Sequence, residues 1–199
     1  MISVAVALVA LVAVAFLALR PPPAPRYATV LPTPLSLPEI SLRDGAGNEF
    51  TADTLSNHIS LLFFGFTQCP DVCPLTLAQL AEFRRELVAQ GSPDLPSIVF
   101  ISVDPERDTV ERVGAYTSAF GEGVLGVRGE LEEIDKLAGT LGAFHARPVT
   151  ADGYSVEHSA GVFVIGPEAQ FRAVYSAPHD VKEWLDDWPG LVASLSTRQ

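Results

Sequence analysis

The chain is 199 residues long and carries 13 Lys and Arg against 24 Asp and Glu, a formal net charge of −11. Hydrophobic residues make up 48% of it, which excludes intrinsic disorder, and the acidic balance argues against nucleic-acid binding, which needs clustered basic side chains. Two cysteines cannot staple a disulfide scaffold, so the length implies one self-supporting domain of roughly 150 residues plus an appendage.

The appendage comes first. Residues 1–19 are an apolar run broken only by Ser3 and closed by Arg20. As a helix this run would span about 28 Å, close to the hydrocarbon thickness of a bilayer. Residues 1–20 therefore read as a transmembrane anchor. A cleaved signal peptide is the alternative, with a small-residue site at Ala13-Val14-Ala15, but cleavage there would leave the apolar stretch from Phe16 to Leu19 exposed. No cysteine precedes Cys69, which argues against a lipid-modified cysteine as the anchor. Arg20 and Arg26 are opposed only by the α-amino group, so the positive-inside rule leaves the orientation open. Residues 21–38 hold seven prolines and read as a semi-rigid, extended spacer.

The domain proper is expected over 39–199. Residues 40–42 and 49–51 flank a turn-rich Asp44-Gly45-Ala46-Gly47-Asn48, a hairpin signal. Residues 59–66 (ISLLFFGF) form a continuous apolar run, as in a strand buried on both faces. Leu77, Leu80, Ala81, Phe83, Leu87 and Val88 then recur at helical spacing, with charged residues opposite. A second buried strand is expected over 97–103, and helices over 109–120 and 130–141. Strands at 160–165 and 171–175 flank another turn. A last helix over 180–195 should break near Pro189. This order of elements fits an α/β sandwich of thioredoxin type.

Both cysteines fall in FTQCPDVCP, between the first buried strand and a helix. Ligands of open α/β sheets bind beyond the carboxyl ends of the strands, where this loop lies. Pro74 suits the first helical turn, because its missing N–H would be unpaired there. The remaining amide donors and the helix dipole favour thiolate over thiol, so Cys69 and Cys73 are expected to be acidic, exposed and close together. A structural disulfide would gain little from so short a loop, and the flanking Gln68, Asp71 and prolines argue against two buried hydrophobes. The C-x3-C spacing is looser than the C-x2-C of disulfide reductases and leaves room to wrap a metal.

Two thiolates alone chelate poorly, so a third ligand is sought among the four histidines. His58 lies at the far end of the first buried strand. His145 and His179 sit in connections where capping or solvation would satisfy them. His158, just before the strand at 160–165, lies in a loop that thioredoxin-like topology packs against the start of the cysteine-bearing helix. It is either a ligand or a satisfied loop histidine. A Cys2His set would select copper or zinc, with soft thiolates favouring Cu(I). Structural zinc takes four ligands, whereas three with an open position suit transient copper. The sole methionine is Met1, which excludes a methionine-based copper site.

Three segments together resemble the Sco/SenC family of copper-binding assembly proteins: GFTQCPDVCP (65–74), SVDPERDT (102–109) and YSVEHSAGVFVIGPEAQ (154–170). The resemblance runs from about Leu37 to the end and includes the anchor. It implies a thioredoxin-like fold with an inserted β-hairpin near 144–156, and one copper ion, Cu(I) or Cu(II), held by Cys69, Cys73 and His158. The role it implies is copper delivery to, or thiol reduction at, the binuclear copper centre of cytochrome c oxidase, with the oxidase's copper-bearing subunit as partner. It also implies an inner-membrane protein whose domain faces the periplasmic or extracytoplasmic side. Asp71, between the cysteines, and Asp104 are placed to bias the charge of the site and partner docking. For Asp104, turn or cap chemistry before Pro105 is the alternative.

A metallochaperone is the leading expectation. A thiol-disulfide oxidoreductase would need Cys69 and Cys73 as a redox pair but not His158. A peroxidase ranks last, because Thr67 and Cys69 are one residue too close for the peroxidatic P-x3-T-x2-C pattern.

Overall fold

The computed structural model describes residues 22–151 and 153–196. The expected anchor over 1–20 lies outside the described residues, and among those described no helix is long and apolar enough to cross a membrane.

At the centre lies β4 (Ser60–Gly65), every residue of which is buried. It pairs in parallel with β5 (Ser97–Ser102), which pairs in parallel with β6 (Val124–Arg128). Side chains alternate across a strand, so this short stretch serves two cores. Leu61 and Phe63 face Leu77, Leu80 and Phe83 of helix α1 (Val72–Ala89), together with Trp184 and Trp188 of the C-terminal helix. Leu62 and Phe64 face the opposite layer, with Ile134 and Leu137 of helix α3 (Leu131–Leu141). Between β5 and β6 lies helix α2 (Val110–Ser118), capped by the Thr109 hydroxyl, which accepts a bond from the Arg112 amide. The continuous apolar runs are thus strands covered by helices on both faces, as expected.

The remaining strands of this sheet are antiparallel. The hairpin of β2 (Leu42–Asp44) and β3 (Glu49–Phe50) joins the sheet through β6. On the other side, β11 (Val162–Ile165) pairs with β4, and β12 (Gln170–Tyr175) pairs with β11. Between α3 and β11 the chain makes the inserted hairpin. Its base is β7 (His145–Ala146) paired with β10 (Glu157–His158), and its tip is β8 (Val149–Thr150) paired with β9 (Gly153–Tyr154).

Two expectations are corrected, for 21–38 and for the last helix, and one strand, β6, stands where none was expected. The stretch 21–38 is not a free spacer along its whole length, because residues 28–36 form β1 (Ala28–Ser36), paired antiparallel with β12 at the sheet edge. Proline is tolerated there because an edge strand needs only one side of its backbone bonded, and the register shifts between Val30 and Leu35, where Pro32 and Pro34 lie. Strand β6, which carries a glycine in a short run (VLGVR), had no clear sequence signal. The last helix, α4 (Val181–Ser196), runs through Pro189 instead of breaking. Proline deletes one backbone bond, but Trp184, Trp188, Leu191 and Leu195 are buried on both sides of it and hold the helix in register.

The segment before β1 is also docked. The Asp187 carboxylate, 3% exposed, accepts the backbone N–H groups of Arg26, Tyr27 and Ala28 at 2.7, 2.8 and 2.8 Å. Gly190 admits the chain beside it, since a Cβ there would stand 2.0 Å from the Pro23 carbonyl oxygen. Asp187→Ala would leave three donors without their acceptor and is expected to cost about 2–4 kcal/mol of stability. Urea unfolding measures this loss, with faster amide exchange at 26–28 as its local sign.

Candidate metal centre

The site is built where β4 ends. The chain leaves the sheet at Gly65, crosses a short loop and enters α1 at Val72, with Asp71 as the N-cap. A helix start leaves its first amides unpaired, and here the Cys69 sulfur accepts one of them, from Cys73 at 3.4 Å. Pro74 occupies the first turn, where a missing N–H costs nothing.

Cys73 is fully buried, at 0% exposure, and Cys69 is half-buried. The Cys73 sulfur lies against Gly65, where a Cβ would come within 2.8 Å of it and within 2.7 Å of the Phe100 ring. Only glycine leaves that space. Burial pushes the Cys73 thiol well above its ordinary value, with the Phe66 backbone opposing and Cys69 and Asp108 reinforcing the shift. This corrects the expectation that both sulfurs are acidic and exposed: in the free protein, desolvation of Cys73 outweighs the helix dipole.

His158, on β10, faces this sulfur with Nε2 at 3.1 Å. Its Nδ1 lies 2.9 Å from the Ser159 carbonyl oxygen, which can only accept, so Nδ1 carries the proton and Nε2 keeps its lone pair toward Cys73. Burial holds the imidazole pKa below its ordinary value, with the Ser159 carbonyl opposing, which favours the neutral, ligating form. The rings of Phe63 and Phe66 meet it edge-on at 5.7 and 5.9 Å and fix its plane.

The donor atoms of Cys69, Cys73 and His158 all lie within 4.8 Å of one another. Metal–sulfur bonds of about 2.3 Å and metal–nitrogen bonds of about 2.0 Å put three ligand atoms roughly 4 Å apart. The set therefore fits a soft ion after closing by less than an ångström. A cavity of about 400 Å³, lined by Phe66, Pro70, Val72 and Glu157 among others, opens beside Cys69 and His158.

The other histidines are not among these donors, although His145 stands opposite His158 in the β7–β10 ladder. His58 contacts the Ser56 carbonyl at 2.9 Å, near the opposite end of β4. His145 pairs with Asp135 at 2.9 Å, and His179 lies 2.6 Å from the Ala160 carbonyl. Asp71 is exposed on the rim of the cavity and makes no side-chain cap bond. Asp104 is buried and bonds to Arg107 and to the Tyr154 hydroxyl, so its carboxylate binds the hairpin and its own turn.

Two residues of the site escaped the sequence reading. Gly65 is one. The other is Asp108, fully buried, whose carboxylate accepts the Thr67 amide at 2.9 Å, the Thr67 hydroxyl at 2.5 Å and the Ser102 hydroxyl at 2.6 Å. It ties the cysteine loop to the end of β5. Its only signal was its place in SVDPERDT, which does not distinguish it from Asp104.

The family model of SCO1/SenC matches residues 34–192. The protein SCO1 homolog 1, mitochondrial, of Arabidopsis thaliana is 36% identical over 141 residues, covering 70% of this chain and 42% of that protein. The crystal structure of Arabidopsis thaliana ScoI with copper bound is 34% identical with a TM-score of 0.73, over 79% of this chain and 98% of that one. BsSco, a member of the Sco family of cytochrome c oxidase assembly proteins, is 21% identical with a TM-score of 0.66, over 86% of this chain and 99% of that one, a likeness of fold.

Proposed function

The chain belongs to the SCO1/SenC family, and on that premise we propose that it is a copper chaperone serving the assembly of cytochrome c oxidase. One observation carries this reading: two sulfurs and an unprotonated imidazole nitrogen converge within 4.8 Å. Cys69 and Cys73 hold Cu(I) as thiolates, and His158 Nε2 supplies the third donor and supports Cu(II). Binding displaces the thiol protons, so affinity rises with pH, all the more because burial keeps the Cys73 thiol protonated when no ion is held. Release runs by ligand exchange through the open side. Half-buried Cys69 meets an incoming thiolate first, and buried Cys73 lets go last.

The binuclear copper centre of the oxidase is the destination this reading assigns, with the copper-bearing subunit as partner. Asp71 on the rim is placed to meet that partner. The apolar run 1–19 supports an inner-membrane anchor with the domain on the extracytoplasmic side. A thiol-disulfide reductase would use the same cysteines. The histidine nitrogen aimed at Cys73 favours the metal reading, because disulfide exchange has no need of it.

Anaerobic titration of the reduced full-length chain with copper, beside His158→Ala, tests the proposal. One tightly held ion per chain is expected, with Cu(II) affinity falling by more than about a hundredfold in the variant, beyond the 10–100-fold usual for residues that only support a ligand. Absence of tight binding in the parent, together with rapid disulfide exchange at Cys69 and Cys73, would leave the reductase.

A further inference from the structure

The hairpin that carries His158 has little to hold it in place by itself. Both of its ladders are two residues long. Phe144 and Val149 are 58% and 89% exposed. An isolated two-stranded hairpin is marginally stable at best in water, yet this one must keep Nε2 of His158 at 3.1 Å from the Cys73 sulfur. Its neck is closed by Ser159, whose amide donates to the Phe144 carbonyl at 2.7 Å and whose hydroxyl accepts the Phe144 amide at 2.6 Å. That closure joins the two arms of the hairpin but does not dock them on the domain.

One arm is tied to α3 by the His145–Asp135 pair at 2.9 Å, and Val156 packs on the core; the rest of the docking comes from Tyr154, on β9. Its hydroxyl donates to Asp104 Oδ1 at 2.7 Å, across to the turn that follows β5. The Arg107 guanidinium, paired with the same carboxylate, lies 4.2 Å from the centre of the Tyr154 ring. Arg107 also stands 6.0 Å from the Phe66 ring, which meets His158 edge-on. From the hairpin side, Arg147 lies 5.8 Å from the Tyr154 ring and pairs with Glu106 of the turn at 2.8 Å. One phenol thus collects a buried carboxylate and two guanidinium groups, and both kinds of contact are stabilising.

We infer that Tyr154 is a positioning residue for His158: by gripping Asp104 and Arg107 it docks the hairpin so that the imidazole faces the cysteines. Asp104 then acts on the metal through Tyr154 and the hairpin, not by direct contact. The inference rests on the copper reading above and deepens it by predicting selectivity. Tyr154 supports the ion to the extent that the ion uses the histidine.

A double-mutant cycle on the full chain tests this. Tyr154→Phe keeps the ring and removes one hydrogen bond, an effect worth up to about tenfold. Cu(II) affinity should fall by about that factor in the parent and by less than about twofold in the His158→Ala background, because the clamp has nothing left to position. The Cu(II) absorption spectrum of Tyr154→Phe should move toward that of His158→Ala. Equal losses in both backgrounds, or no loss in the parent, would overturn the inference. Amide exchange supplies a readout without copper: exchange at 157–159 should quicken in Tyr154→Phe while β4 and β5 stay protected. Unchanged exchange at 157–159 would also overturn it. If the parent itself fails to hold copper, the copper reading fails while exchange still decides the clamp.

Discussion

Cys73→Ser should reduce copper affinity by about a hundredfold to a thousandfold, roughly 2.5–4 kcal/mol, with little change in the fold. A structural zinc site of four ligands is worth about 10–16 kcal/mol, so one ligand accounts for about a quarter of that. Serine is a hard oxygen donor that stays protonated at neutral pH, so it cannot replace a soft thiolate. Cys73 is also the donor that the rest of the site is built around. The His158 nitrogen faces it, Gly65 makes space for it, and it lies inside the core cluster with Leu77 and Phe100. The serine oxygen is smaller than sulfur and leaves no clash behind. Copper titration beside thermal unfolding separates the two effects. Retained tight binding in a folded variant would remove Cys73 from the ligand set.

Asp108→Ala should be the most destabilising single change near the site, by about 3–5 kcal/mol. The carboxylate is fully buried and accepts three donors from two elements, so its removal leaves each of them without its partner. Asp108→Asn should lose less, because one carbonyl oxygen still accepts. Urea unfolding gives the ordering. Copper affinity should fall as well, since Thr67 lies two residues from Cys69 and its amide and hydroxyl are what Asp108 holds. A variant as stable as the parent would mean that water replaces the carboxylate at no cost.

Much of the architecture is legible in residue order because burial on both faces leaves an unmistakable pattern. The runs at 59–66 and 97–103 could pack only inside a helix-covered sheet, and they do. The cysteine loop was placed for the same reason, since a strand followed by Pro-containing helix starts leaves few positions for C-x3-C. Where the apolar pattern is weak, the sequence misleads. Residues 28–36 look like a spacer because prolines dominate them, yet an edge strand bonded on one side tolerates them and Asp187, 159 residues along the chain from Ala28, holds its start. Pro189 looks like a helix end because local propensity favours one, yet two buried tryptophans before it and two buried leucines after it outweigh a single lost bond.

The sequence by itself determined the fold class, the place of the two cysteines between a buried strand and a helix, and the short list of histidines among which a third donor was sought. Those depend on residue type and on patterns within one element, which chain order preserves. Only the tertiary structure decided that His158 reaches Cys73 across 85 positions of chain, that burial raises the Cys73 thiol pKa, and that Asp108 bonds to Thr67 and Tyr154 to Asp104. Each of those facts depends on which distant groups share a few ångströms of space and on how much water is excluded there. Neither quantity is carried by a residue's neighbours in sequence.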